Sequence, residues 1–410
     1  MTRPIPTRRA LLAAAAGLGL SVSFVGRAAF ADDGLARKKL ITVIARGAMD
    51  GLAVSPPVGD PAYAALRGRI AIPAEAALPL DATFGLHPSL AGVHALAKAG
   101  QARIAPAIAS PDRARSHFEA QDVLETGAGG AYATDSGFLN RALNAGGGRR
   151  IEALSVGATA PLILRGPIQT GSWSPGAAGE GSPRLPAILT DLYAGDPVLA
   201  PAFAKGLETE AMAATAQAGM NAMAAPAETG GGTPAFIRRG VAVANGLGRN
   251  VAGFLTQPGG PQIVALSVDG WDTHANQGGA EGQLANRLLY LDALLTGLNE
   301  GLGAAWADTI IVVATEFGRT ARVNGTGGTD HGTGSTAIVL GGGLKPGGII
   351  GDWPTLADNA LFEGRDTRPT VDMRGLFKGV LADHMGLDRR ALDSAVFPGS
   401  AAVAPVSGLV

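Results

Sequence analysis

An α/β fold with a largely parallel central sheet is predicted by three features. Short apolar runs rich in β-branched residues recur along the chain: Lys39–Ala45, Gln101–Ala109, Gln262–Val268 and Thr309–Thr315. Their length and composition read as buried strands. Stretches of helical periodicity lie between them, the alternation that builds a parallel sheet. Each run also ends in a polar segment, and open α/β sheets bind ligands beyond the carboxyl ends of their strands.

Composition sets the bounds. The chain has 410 residues, of which 46% are hydrophobic, enough for a large core in one big domain or two smaller ones. With 61 Gly and 26 Pro, it suits long loops on a packed scaffold rather than low-complexity disorder. Charged residues are 16% and the formal net charge is −1, so no basic face for nucleic acid is expected. There is no Cys, which excludes disulfides and thiolate sites and is compatible with export.

The first residues read as an address. Thr7-Arg8-Arg9-Ala10-Leu11-Leu12 is a twin-arginine pattern, followed by an apolar run from Ala10 to Val25 and a small-x-small signal, Ala29-Phe30-Ala31. Residues 1–31 are expected to be a twin-arginine export signal, with the mature chain beginning at Asp32 as a single α/β domain over 32–410. The competing reading is an uncleaved anchor. No other stretch is long and apolar enough to span a bilayer, so no stable membrane span is expected after signal removal.

Along the chain, the Lys39–Ala45 strand leads to Arg46-Gly47-Ala48-Met49-Asp50-Gly51, which places Asp50 either at a site or in a turn or cap. Residues 55–85 look like loop. His87 to Lys98 reads as a turn and an amphipathic helix, with His87 in the turn and His94 on the helix face. The Gln101–Ala109 strand passes through Ser110-Pro111 to Arg115-Ser116-His117-Phe118-Glu119. Ser116 followed three residues later by Glu119 is a capping box. A serine at that junction can equally be a nucleophile activated by the helix terminus. His117, beside arginines and a hydroxyl, is favoured as a site residue.

Further on, a helix is expected over Ser136–Leu143, and strands over Ile151–Val156 and Leu162–Leu164. Residues 187–225 read as helical, 229–233 as a flexible link and Pro234–Leu255 as a second helix; roughly 165–255 would form a helical cap or insertion. The Gln262–Val268 strand ends in Asp269-Gly270-Trp271-Asp272-Thr273-His274. Asp272 and His274 are two apart, so an extended backbone puts both on one face, a sound arrangement for metal ligands. A long helix, about Gly282–Leu302, precedes the Thr309 strand, then Glu316-Phe317-Gly318-Arg319-Thr320 and Gly328-Thr329-Asp330-His331-Gly332. Ile349-Ile350 reads as a short edge strand and Val371–Met385 as the last helix, with His384 a surface residue compensating its dipole.

Four strand ends thus deliver Asp50, then Ser116 and His117, then Asp272 and His274, then Glu316 with Asp330 and His331. Such a set suits one or two divalent cations. Zn²⁺ or Mn²⁺ is favoured by so many imidazoles, and Mg²⁺ or Ca²⁺ is less expected. Arg46, Arg115 and Arg319 would hold an anionic ester.

The twin-arginine leader and the ordered motifs around Asp50, His117, Asp272-Thr273-His274, Glu316-Phe317-Gly318-Arg319-Thr320 and Asp330-His331 resemble the bacterial exported domain-of-unknown-function family fifteen-oh-one. That family is grouped by similarity with the alkaline phosphatase and sulfatase superfamily. The resemblance implies a three-layer α/β/α sandwich and usually two metals. Asp50 matches the superfamily's first-strand metal acid, and Asp330-His331 resembles its Asp-His pair. Asp272 and His274 resemble its Asp…His ligand pair at a shorter spacing. The late metal histidine has no match, and His117 is the candidate substitute. The nucleophile is Ser116 or, next, Ser110.

The expected function is an exported metal-dependent hydrolase of a small phosphate or sulfate ester, with Ser116 or a metal-activated water attacking. The alternative is a non-catalytic exported protein that keeps a metal for binding or assembly. The resemblance also hints at a partnership with another exported protein of unknown function.

Overall fold

The structure, a computed structural model, describes residues 37–146 and 235–410, together with residue 35 and the pieces 153–156, 161–168, 170–173, 189–190, 192–196, 200 and 204. The expected export signal, the 229–233 link and most of the helical stretch over 187–225 lie outside the described residues.

The first strand, β1 (Lys39–Arg46), is buried along all but its last residue. Its side chains alternate: Ile41, Val43 and Ala45 enter one core, and Leu40 and Ile44 enter the other. This is the two-residue period of a strand covered on both faces. The strands that follow are β2 (Leu78–Pro79), β3 (Gly85–Leu86), β4 (Ala102–Ala109), β5 (Ala153–Val156), β6 (Gly171–Trp173), β7 (Ile263–Asp269), β8 (Thr309–Ala314), β9 (Ser335–Leu340) and β10 (Val371–Asp372). β2 and β3 form a small antiparallel pair. Among the described residues, the rest form an eight-stranded sheet in the order β10–β4–β9–β8–β1–β7–β5–β6. Only β9 is reversed, pairing antiparallel with β4 and β8; the other pairings are parallel.

That reversal matters for the site. The carboxyl ends of β1, β4, β7 and β8 share one edge of the sheet, and the amino end of β9 lies at the same edge. Four outgoing loops and one incoming loop therefore meet there.

The helices that lie wholly within the described residues include α1 (Gly51–Val54), α2 (Tyr63–Arg67), α3 (Ala91–Lys98), α4 (His117–Thr126), α5 (Phe138–Ala145), α6 (Ala235–Thr256), α7 (Gln283–Leu302), α8 (Met373–Asp383) and α9 (Arg389–Ala391). Residues of α3, α6 and α7 pack on one face of the sheet with Ile41 and Val43. Residues of α5 and α8 pack on the other with Leu40 and Ile44. The result is the α/β/α sandwich, in which each fully buried large aliphatic side chain contributes about 1.5–3 kcal/mol. α7 carries the chain from β7 across β1 to β8. Its glycine Gly297 lies so close to the Asn245 carbonyl of α6 that any Cβ would collide. α6 is therefore packed into the core beside α7, through Ala244, Val251, Ala252, Phe254 and Leu255.

Several local expectations change. Leu162–Leu164 is a 3-10 turn, not a strand. The helix expected from Ser136 begins at Phe138, and the one expected after His87 begins at Ala91. His87 is buried; its Nδ1 accepts the Ser89 amide at 3.0 Å and its Nε2 lies 3.0 Å from the Gly279 carbonyl. Ile349 makes only an isolated bridge with Ile104. Val371 and Asp372 form β10, and the helix begins at Met373. His384 is not a surface residue: it is 1% exposed, its Nε2 lies 2.9 Å from the Lys39 carbonyl, and burial lowers its pKa to about 4.

Candidate metal centre

The site begins where β7 ends. Gly270 turns the chain at φ +91°, a region open to glycine. Asp272 and His274 then lie on one side, with His274 Nε2 3.0 Å from Asp272 Oδ1. The first residue of α4 delivers His117, whose Nε2 is 3.6 Å from Asp272 Oδ2. The loop before β9 delivers His331, whose Nε2 is 3.4 Å from Asp272 Oδ1. Ligand atoms of His117, Asp272 and His331 all lie within 4.8 Å of one another, a grouping able to hold a metal ion.

Each imidazole has an oxygen behind it. His117 Nδ1 is 2.9 Å from Glu316 Oε1, His331 Nδ1 is 2.9 Å from the Arg115 carbonyl, and His274 Nδ1 is 3.5 Å from Asp330 Oδ1. A hydrogen-bonded acceptor at Nδ1, as in His117 and His331, favours the tautomer whose Nε2 lone pair points forward, the usual outer arrangement of a metal-ligating histidine. The Nε2 atoms of His274 and His331 are 3.0 Å apart. At that spacing, beside a carboxylate, either a proton on one Nε2 or a cation has to lie among them. His117 Nε2 is buried and has no hydrogen-bond partner among the described residues. A divalent cation satisfies that orphaned nitrogen, so the residues present fit a metal.

The electrostatics are graded. The hydrogen bond to Glu316 holds the His117 pKa above its ordinary value, against burial. Burial lowers that of His331, and the charges of His117 and Arg319 add to this. For Glu316, burial pushes the carboxyl up, but hydrogen bonds from His117, Gln121 and Gly47 outweigh it and the net shift is downward. Asp272 is likewise lowered: burial opposes ionisation, and the Arg319 bond and charge overcome it. Both carboxylates are thus kept ionised beside the imidazoles. Phe317, 3% exposed, stacks near His117 and His331 with ring centroids 5.0 Å from each and forms an apolar wall.

The chain matches the family model "Protein of unknown function (DUF1501)" over residues 74–396. It belongs to this family. Among curated proteins none matches. Among solved structures, the chain is similar to the C-terminal periplasmic domain of EcEptC from Escherichia coli in complex with Zn, at 10% identity, covering 88% of this chain and 86% of that one, with a TM-score of 0.37. It is similar to a protein in the alkaline phosphatase superfamily from Vibrio parahaemolyticus, at 11% identity, 92% and 75% coverage and a TM-score of 0.39. A third is the phosphonate monoester hydrolase of Agrobacterium radiobacter, at 11% identity, 86% and 74% coverage and a TM-score of 0.35. Scores this low leave the fold to rest on the sheet itself.

For this member of the family, the other expected site residues take different places. Glu316 does not face the cluster's centre. Both its oxygens are engaged, Oε1 by Gly47 N, Gln121 Nε2 and His117, and Oε2 by the Thr315 hydroxyl. Asp330 stands behind His274 and accepts from Asn324 Nδ2 at 3.1 Å. Asp50 stays out of the cluster: its buried carboxylate pairs with Arg67 and accepts from Gln277 Nε2 at 2.6 Å. Gln277 in turn accepts from the Thr273 and Thr329 hydroxyls.

The arginines expected to hold an anion are committed to the protein. Arg319 is buried and donates to the carbonyls of Ala48, Thr329, Gly47 and Trp271 and to Asp272 Oδ1 at 2.5 Å. Arg115 pairs with Asp366 and Glu363, and Arg46 with Gln121 and Glu125. Arg115, Ala48 and Asn276 have left-handed backbones, at φ 57°, 60° and 48°, and all three lie in the site loops. Such conformations are held only where surroundings over-determine them; at Arg115 the ion pairs and the His331 bond do so.

Ser116 occupies the N-cap of α4, but its side chain makes no cap hydrogen bond, so the expected capping box is not formed. It sits between Arg115, whose carbonyl faces His331, and His117. Ser110 is buried and tied to the Glu316 carbonyl and the Asp112 amide. Gln121, Gln277, Arg67 and Phe317 were not anticipated. Of these, only Gln121 carried a signal, standing one helical turn after His117.

Proposed function

We propose that this protein is an exported hydrolase of a phosphate or sulfate ester, using one divalent cation held by His117, Asp272, His274 and His331. The observation that carries the reading is the convergence of three forward-facing imidazole nitrogens on one ionised carboxylate. Three nitrogens and one carboxylate favour Zn²⁺ or Mn²⁺. One ion is proposed rather than two because Asp50 lies outside the cluster and is paired with Arg67.

When bound, the cation would polarise an ester oxygen and offset charge developing on it. The chain's own residues do the rest. Glu316 orients His117, Arg319 fixes Asp272, and Phe317 excludes water from one side. Ser116, free of capping duty at the positive end of α4, supplies the attacking oxygen. Its Oγ would form the bond to phosphorus or sulfur as the ester bond breaks, its proton passing to the departing alcohol, and water would then cleave the seryl ester to release phosphate or sulfate and restore Ser116. Ser110 lacks that freedom.

A panel of phosphomonoesters, phosphodiesters and sulfate esters tests this, run on the metal-reconstituted chain. The expected result is turnover of one class, lost in Ser116→Ala with metal content unchanged. No turnover of any class, with full metal content, supports the second reading, a metal-keeping binding or assembly protein. The commitment of Arg46, Arg115 and Arg319 to protein partners favours that alternative. Export rests on the leader over residues 1–31. Arg8→Lys with Arg9→Lys is expected to retain the chain in the cytoplasm, and unchanged export contradicts it. No helix among the described residues is long and apolar enough to cross a membrane.

A further inference from the structure

A cavity of about 350 Å³ opens between the amino-terminal turns of α6 and α7, with Gly270 in its lining. Its two walls differ in chemistry. From α7 come Gln283, Asn286, Arg287 and Tyr290, spaced i, i+3, i+4 and i+7 along one helix face. From α6 come Ile237, Gly240 and Val241. Arg287 is exposed and makes no ion pair among the described residues, whereas Arg46, Arg115 and Arg319 around the metal cluster are paired. Its guanidinium lies over Gly270, where any Cβ would strike it. Gly270 therefore leaves room for a cation that is aimed at the cavity and not consumed by the protein.

The cavity is also near the reacting centre. Gly270 and Asp272 are two residues apart, so their Cα atoms are at most about 7 Å from each other.

We propose that this cavity is a binding subsite for an amphipathic anion: a phosphate-like headgroup against Arg287 and an apolar body against Ile237 and Val241. Binding of the anion stands on the cavity alone. Its role as the subsite for a non-reacting part of the substrate rests on the ester-hydrolase reading.

Hexylphosphonate, which has no ester bond to cleave, is the probe, titrated calorimetrically into the purified full chain with its metal in place. Methylphosphonate lacks the tail and hexanol lacks the charge. The expected order is hexylphosphonate tightest, with both controls much weaker. Arg287→Gln is expected to weaken hexylphosphonate about tenfold, the scale of one charge-assisted hydrogen bond. A Cβ at Gly240, in the cavity wall, meets no atom within 4 Å, so Gly240→Leu adds bulk at the cavity. It should weaken binding as well, with metal content and melting temperature retained. Equal affinity in wild type and Arg287→Gln overturns the proposal, as does methylphosphonate binding as tightly as hexylphosphonate. Arg287-dependent binding in a chain that turns over no ester upholds the pocket and contradicts the hydrolase reading instead.

Discussion

The Nε2 atoms of His274 and His331 stand 3.0 Å apart, and Asp272 Oδ1 is 3.0 Å from the first and 3.4 Å from the second. A cation among them would satisfy all three atoms; without one, a proton on one nitrogen has to bridge them. Asp272→Asn keeps the shape and removes the charge that draws the cation. In wild type, added Zn²⁺ at a hundred times its dissociation constant should stabilise the fold by about 2.7 kcal/mol. Asp272→Asn should show little of that gain. Thermal melts with and without metal check it, and an equal gain in both proteins counts against the site.

Glu316 touches no ion in this account and acts through His117. Glu316→Gln should lower metal affinity about 10–100-fold, the usual effect of removing an orienting carboxylate. Competition with a chromogenic chelator measures it. Unchanged affinity would mean that His117 needs no such support.

Asp50 and Arg67 form an ion pair with side chains 1% and 0% exposed. Arg67→Met strands a buried carboxylate and should cost about 3–5 kcal/mol in chemical denaturation. Adding Asp50→Asn should recover part of that loss. Metal content should remain one ion per chain throughout. Loss of the ion in Asp50→Asn alone, with stability intact, would make Asp50 a ligand.

His384 gives a pH dependence separate from the site. Burial depresses its pKa from an ordinary 6.5 to about 4, so the folded chain keeps it neutral while the unfolded chain takes up a proton below 6.5. Its contribution is therefore complete above pH 6.5 and is lost as pH falls toward 4. The loss amounts to about 3 kcal/mol. His384→Gln should flatten the stability profile over that window. Denaturant midpoints between pH 4 and 7 check this, and parallel profiles would contradict it.

These outcomes show what the sequence could carry. β1, β4, β7 and β8 were legible because strands buried on both faces leave short apolar runs with nothing polar to mask them. Asp272-Thr273-His274 and Asp330-His331 stood out because ligand types fell together just beyond such runs. The partners of long side chains were not legible. Arg115 reaches Asp366 across 251 positions and Arg67 reaches Asp50 from a Pro- and Ala-rich stretch that read as loop. His384 was misplaced because a lone histidine at a helix end looks solvated until the strand that buries it, β1, is set beside it. The freedom of Arg287 could not be read at all, since it depends on which arginines the loops have already paired.

An anomalous-scattering map of the crystallised chain, collected at the absorption edge of its native metal, tests the central claim most directly. One peak bonded to His117 Nε2, His274 Nε2, His331 Nε2 and Asp272 is predicted, with none beside Asp50. A peak at Asp50, or bound metal with no peak at these four residues, would contradict it.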